Sequence, residues 1–296
     1  MPETPLFDEK TRRKLEQLTL AATRVRAGAI KGERRSHKRG TSIEFADYRD
    51  YAPGDDLRRL DWNIYARLGR PLTRLYEDEE DLAVHLILDR SASMDWGEGE
   101  THKFDFARRL IAGLATISLT TNDRLRVSAI GGDGTQHFGP ARGRAYGVAL
   151  LTYITGLKAN GRVDINAALK DYALRQGHPG LCIVVSDLFS PDGYIDGLNA
   201  LLGKGHEVAL IHVLAPEEIE PPLAGDLRLV DVETGAAQEV SVDGAMRDLY
   251  VRRVQAWRDD IRATCTKRGI HFAAVETSTP WEKVILYDLR RLGVVR

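Results

Sequence analysis

The chain is short of the features that mark a specialised class. It has two cysteines in 296 residues, Cys182 and Cys265, far apart and both in apolar-periodic segments. That argues against a disulfide framework or a zinc cluster and suits buried thiols in a reducing compartment. Long hydrophobic runs are missing as well: Leu181–Val185 and Val208–Leu214 fall far short of the ~20 residues a membrane-spanning helix needs. Met1 to Lys14 is polar and charged, without the apolar stretch of a secretory leader. No charge of one sign dominates, the formal net charge being -1, so composition gives no argument for nucleic acid or a membrane surface as partner. The Gly-x-x-x-x-Gly-Lys loop of nucleotide-binding enzymes and the Gly-x-Ser-x-Gly elbow of serine hydrolases do not occur. What remains is 43% hydrophobic and 29% charged, the balance of a globular chain able to bury a core, and the expected location is the cytoplasm.

Two regions are expected, residues 1–81 and 82–296. The first opens with an amphipathic helix over about Asp8 to Ala29, with Leu15, Leu18, Ala22 and Val25 at helical spacing. It continues through a basic loop, a charged and aromatic stretch, and five consecutive acids from Glu77 to Asp81. The second alternates strand and helix patterns, with strands at Leu82–Leu88, Leu125–Ile130, Leu181–Ser186, Glu207–Leu214 and Ile270–Val275. That alternation predicts an α/β fold, a mostly parallel sheet with helices on both faces. A β-hairpin at about 225–243 reads as an insertion, and a long helix from about Ala245 to Lys267 has Leu249, Val254, Trp257 and Ile261 as its inward stripe. Lone histidines on or beside strands (His85, His137, His206, His212 and His271) are expected to be structural.

The chemistry concentrates where the first core strand ends. Asp89, Ser91 and Ser93 follow Leu88 on alternate residues of a tight turn, so three oxygens can converge on one point. A hard divalent cation such as Mg²⁺ or Mn²⁺ takes oxygen ligands and keeps some waters. Asp187 ends the strand Leu181–Ser186 and supplies a second carboxylate, first or second shell, if that strand lies beside the first. Ligands of open α/β sheets bind outside the carboxyl ends of such strands.

Asp89-x-Ser91-x-Ser93-Met94 after an apolar strand resembles the metal-site motif of von Willebrand factor A domains. That family completes its site with a threonine from a later Gly-x-Thr-Asp loop. Here Gly161-Arg162-Val163-Asp164 has valine at that place, which leaves Asp164 or a water as the substitute ligand. Residues 36–80 carry a more specific resemblance. The block from Arg39 to Arg67, with Glu44, Arg49, Tyr51, Gly54, Asp55, Asp56, Arg58, Asp61, Trp62 and Arg67, is similar to the von Willebrand-like bacterial family catalogued as domain of unknown function 58. Members are often encoded beside MoxR-type AAA+ ATPases, and the likeness reaches Ala215-Pro216-Glu217-Glu218 and Asp231-Val232-Glu233-Thr234-Gly235.

Read as physics, the block mixes arginines with acids and tyrosine or tryptophan. It serves either to dock the segment through ion pairs or to form a partner-binding face. The resemblance implies a non-enzymatic adaptor whose metal ion coordinates a partner carboxylate, the partner being a MoxR-type ATPase. The alternative is a metal-assisted phosphoesterase using Asp89 and Asp187. A third, nucleic-acid reading rests on the seven Lys and Arg residues between Arg24 and Arg39.

Overall fold

Strand β3, Ala83–Asp89, shows how the sheet is built. Val84, Leu86 and Leu88 point into one apolar cluster and Ile87 into another, all fully buried. Side chains of a strand alternate between faces, so a run that is apolar at every second position on both sides must be covered on both sides. The same division recurs in β6, Leu181–Ser186, where Ile183 and Val185 join the first cluster and Cys182 and Val184 the second. These strands belong to a computed structural model that describes residues 6–22, 43–52, 55, 57–78, 82–175, 178–223, 225–230 and 235–296.

The chain divides into two compact units, Met1–Gly28 with Leu82–Arg296 and Ala29–Asp81. The larger holds a six-stranded sheet of order β10-β7-β6-β3-β4-β5, where β4 is Arg124–Gly131, β5 Gly134–Ala141, β7 Glu207–Leu214 and β10 His271–Glu276. All neighbours are parallel except the β4–β5 edge pair. Helices Lys103–Thr120 and Gly147–Gly156 cover one face; Ile165–Arg175, Ile195–Gly203 and Gly244–Arg268 cover the other. The expected mostly parallel α/β sheet is therefore present. After β3 the chain runs outward to β4 and β5, then returns to β6 on the opposite side of β3. The carboxyl ends of β3 and β6 thus flank a switch in strand order, the crevice where such sheets accept ligands.

Three expectations need correction. The amphipathic helix spans only Glu9–Leu15, capped by Asp8, whose Oδ1 accepts from the Thr11 amide at 2.7 Å. Beyond it the chain is extended: the Thr19 and Ala21 amides donate to the Arg296 and Val294 carbonyls. Leu18, Leu20 and Ala22 are buried with the main core, every second residue, as an extended segment requires. The start of the chain therefore packs in the larger unit rather than with the region up to residue 81; Val25 lies outside the described residues.

The long helix Gly244–Arg268 buries only Ile261 and Cys265, and Leu249 is exposed. Length is the reason: 25 residues make a helix of about 37 Å, while a six-residue strand spans about 20 Å. Its first half outruns the sheet; the preceding β8, Gly225–Val230, and β9, Ala237–Val242, form a separate hairpin. No helix among the described residues is long and apolar enough to cross a membrane.

Both cysteines are free and buried. The five single histidines all have partners: His85 with Tyr172 and the His178 carbonyl, His137 with Ser128, His206 with the Gly180 amide, His212 with the Asp187 carbonyl and His271 with Glu207.

Candidate functional site

Asp89 is the last residue of β3 and is buried. Its Oδ1 accepts from the Ser91 amide at 2.9 Å and its Oδ2 from Ser186 Oγ at 2.6 Å. The strands β3 and β6 pair directly, Leu88 opposite Val185, which brings Ser186 and Asp187 alongside. Burial, and then the charge of Asp187, pushes the Asp89 carboxyl up to about 6. Ser91 and Ser93 face each other with hydroxyl oxygens 2.9 Å apart. Neighbouring ligand oxygens in a Mg²⁺ octahedron lie about 2.9 Å apart, given metal–oxygen bonds near 2.05 Å. No group of three or more His, Cys, Asp or Glu side chains gathers as a metal cluster among the described residues. An ion here would rely on hydroxyls: one carboxylate and two serine oxygens, a set suited to a hard ion that keeps most of its waters.

Two other expected ligands are engaged elsewhere. Asp164 is exposed, and its Oδ1 accepts from the Ala167 amide at 2.9 Å, capping the helix Ile165–Arg175. Val163 is buried in the second apolar cluster, so its side chain packs in the core. Asp187 is also engaged. Its Oδ1 accepts from the Phe189 amide at 3.0 Å, and its Oδ2 receives Lys103 Nζ at 2.7 Å.

Lys103 is the residue the sequence reasoning passed over. It opens the helix Lys103–Thr120, is 0% exposed, and also reaches Glu218 Oε1 at 2.7 Å. Glu218 stands just beyond β7, and burial raises its carboxyl above the usual range. The Phe189 ring lies 5.2 Å from the ammonium, a cation–π contact. Trp257 stacks on Phe189 at 5.4 Å. A signal was available: a lysine in the first turn of a helix opposes the helix dipole, so it needs an acidic partner from elsewhere.

The loop is locked by its other neighbours. Arg90, 2% exposed, donates to Asn160 Oδ1 at 2.9 Å, to the Lys158 and Gly134 carbonyls, and to the Asp133 carboxylate. The Ala92 amide donates to the Gly161 carbonyl at 2.8 Å, tying the 160–164 loop to the serines. That loop passes Gly132 so closely that a Cβ there would lie 2.6 Å from Gly161 Cα. Gly132→Ala should therefore cost about 1–3 kcal/mol, from the displaced backbone. A urea titration checks it; an unchanged midpoint would show that the two loops do not touch.

In the smaller unit, β1, Ile43–Asp50, pairs antiparallel with β2, Leu72–Asp78, and contains Glu44. Two acids of the signature block, Asp61 and Asp55, hold local structure. Asp61, buried, accepts from the Asn63 and Ile64 amides as the cap of helix Trp62–Leu68, and from Tyr48 Oη at 3.0 Å. Arg49 pairs with Asp55 at 2.8 Å, and Asp55 also holds the Ala52 amide. Tyr51 is half-buried, with its amide on the Pro71 carbonyl. By contrast Leu57, Trp62, Tyr65 and Leu68 are exposed, as are Arg58 and Arg67. Asp55 and Asp61 of the block thus hold local structure, while Trp62 and Tyr65 face outward. Gly54 and Asp56 lie outside the described residues, as does the basic stretch from Arg24 to Arg39.

The profile of the protein of unknown function DUF58 family matches residues 47–260. The chain belongs to that family. An uncharacterized protein of Mycobacterium tuberculosis strain H37Rv is 29% identical over 277 residues, 93% of this chain and 87% of that one. One from Mycobacterium avium is 30% identical over 120 residues, 40% of this chain and 70% of that one. Among solved structures, a conserved hypothetical protein BatB from Bacteroides thetaiotaomicron aligns with a TM-score of 0.44 at 16% identity, covering 72% of this DUF58 chain and 98% of that chain. An aerotolerance-related membrane protein from Bacteroides fragilis aligns with a TM-score of 0.43 at 16% identity, covering 71% and 99%.

Proposed function

We propose that this DUF58 chain is a binding protein on a von Willebrand factor A-like domain, in which Asp89, Ser91 and Ser93 hold Mg²⁺ or Mn²⁺ for a carboxylate of a partner protein. The observation that carries the reading is the convergence of one buried carboxylate and two facing hydroxyls at the switch in strand order. A bound ion supplies an open coordination position for an incoming oxygen. Asp89 anchors the loop through Ser91 and Ser186, and Arg90 fixes the turn from beneath. Among the described residues the Ser91 and Ser93 hydroxyls contact each other rather than an activating histidine or lysine, which favours coordination over nucleophilic chemistry. The family resemblance points to a MoxR-type AAA+ ATPase as partner, with the pair acting in maturation or chaperoning of protein complexes.

The test is a Mn²⁺ titration of the purified chain with a pull-down of a purified MoxR-type ATPase. Saturable binding is expected for wild type and none for Asp89→Ala, with the ATPase retained only by wild type in the presence of metal. Absence of saturable Mn²⁺ binding to wild type would sink the reading. Metal-dependent hydrolysis of a phosphoester, lost in Asp89→Ala, would replace it with the phosphoesterase.

A further inference from the structure

Four ionisable side chains meet at the carboxyl end of the sheet, Asp89, Asp187, Glu218 and Lys103. Lys103 Nζ sits between two of the acids, 2.7 Å from each, and has no exposure to solvent. Asp187 Oδ2 is tied to the ammonium, while its Oδ1 accepts from the Phe189 amide. A buried ammonium held by two carboxylates and covered by an aromatic ring is costly to extract. Drawing Asp187 toward an ion at Asp89 would therefore work against the buried ammonium that holds its Oδ2.

We infer that Lys103 determines the specificity of this site: by holding Asp187 and Glu218 it leaves a divalent ion with a single protein carboxylate, so that the ion binds firmly only together with a carboxylate brought by the partner. The inference rests on the proposed metal-dependent reading and adds its logic. Affinity for a hard cation follows the number of charged oxygen ligands, and one carboxylate with two hydroxyls is a weak set. Charge points the same way. With Lys103 in place the four side chains carry a formal -2, which a divalent ion neutralises, so an incoming anion meets no net repulsion. Without it they carry -3, and the loaded site stays negative.

Mn²⁺ binding, followed by the electron paramagnetic resonance of the free ion with and without excess acetate, tests this. Wild type should bind Mn²⁺ weakly alone and severalfold more tightly with acetate. Lys103→Met, which frees Asp187, should bind Mn²⁺ roughly tenfold more tightly without acetate and lose most of the acetate response. A residue that merely supported the fold would weaken both. Circular dichroism at the assay temperature shows whether Lys103→Met is folded; Asp187→Asn provides a second arm that keeps the Lys103–Glu218 pair. Because Asp187 does not coordinate the ion, that variant should stay within about fivefold of wild type, while Asp89→Ala loses binding. Loss of Mn²⁺ binding in Asp187→Asn, or no tightening in a folded Lys103→Met, overturns the inference and leaves the metal-dependent reading standing. No binding to wild type overturns both.

Discussion

Replacing Lys103 by methionine is expected to lower the melting temperature by roughly 10 °C near pH 7.5, a loss of about 3–5 kcal/mol. The side chain is 0% exposed and its ammonium holds two carboxylates at 2.7 Å. Methionine fills the stem volume but leaves Asp187 and Glu218 as like charges in a buried space, and it is that residual repulsion that destabilises. The pair is not a measure of net stability, since a well-packed apolar replacement of every member could be neutral. Two controls separate the causes. Glu218→Gln in the same background should recover part of the loss, because one of the unpaired charges is gone. Lowering the pH should also shrink it, since the Glu218 carboxyl, already raised by burial, takes up a proton early. Thermal melts of wild type and the two variants at several pH values decide it; a Lys103→Met chain as stable as wild type would show that the ammonium is not buried between the two acids.

Asp89→Asn should act in the opposite direction and make the metal-free chain more stable at neutral pH. The Asp89 carboxyl is held at about 6, above its ordinary value of 3.8, because burial and the Asp187 charge disfavour the anion. The folded chain therefore binds a proton more tightly than the unfolded one. Its stability is highest, as far as this group is concerned, below pH 4, and falls as pH rises from about 4 through 6. Asparagine resembles the neutral acid and removes that fall. The variant and wild type should coincide near pH 4 and separate by about 2–3 kcal/mol above pH 6. Denaturant titrations across that range, in chelator, give the result. A wild-type chain that is the more stable of the two at pH 8, or a gap that does not close toward pH 4, would contradict the assignment. Under the metal reading, Mg²⁺ restores stability to wild type and leaves the asparagine variant unchanged, so function retains a carboxylate that the empty fold disfavours.

Much of the sheet was legible because its strands are apolar on both faces, and β3, β6 and β7 are buried along their length. Period was less decisive where two periods coexist. Leu15, Leu18 and Ala22 fit a helix, but Leu18, Leu20 and Ala22 fit a strand, and pairing with residues 294–296 selects the second. In the Gly244–Arg268 helix the apolar stripe said nothing about where the sheet beneath it stops. At the site, Asp89, Ser91, Ser93 and the neighbouring Asp187 were visible as a motif and a strand end. Asp164 looked like a spare ligand because a carboxylate before a helix can serve a metal or a backbone amide, and only geometry shows which. Lys103 and Glu218 were not visible as a pair, since 115 residues separate them and no spacing links the two.

The helix that outruns its sheet has a consequence for how the chain tolerates change. Ile261 and Cys265 answer to the packing of a core in which a single methylene is felt. Met246 and Leu249, on the same rod, are exposed, while Tyr250 still reaches the Glu218 carbonyl through its hydroxyl. Substitutions in the overhanging half meet few of the constraints that fix the other half. One continuous helix thereby joins a tightly packed segment to an exposed one, and substitutions at the exposed positions can reshape the surface without rebuilding the core.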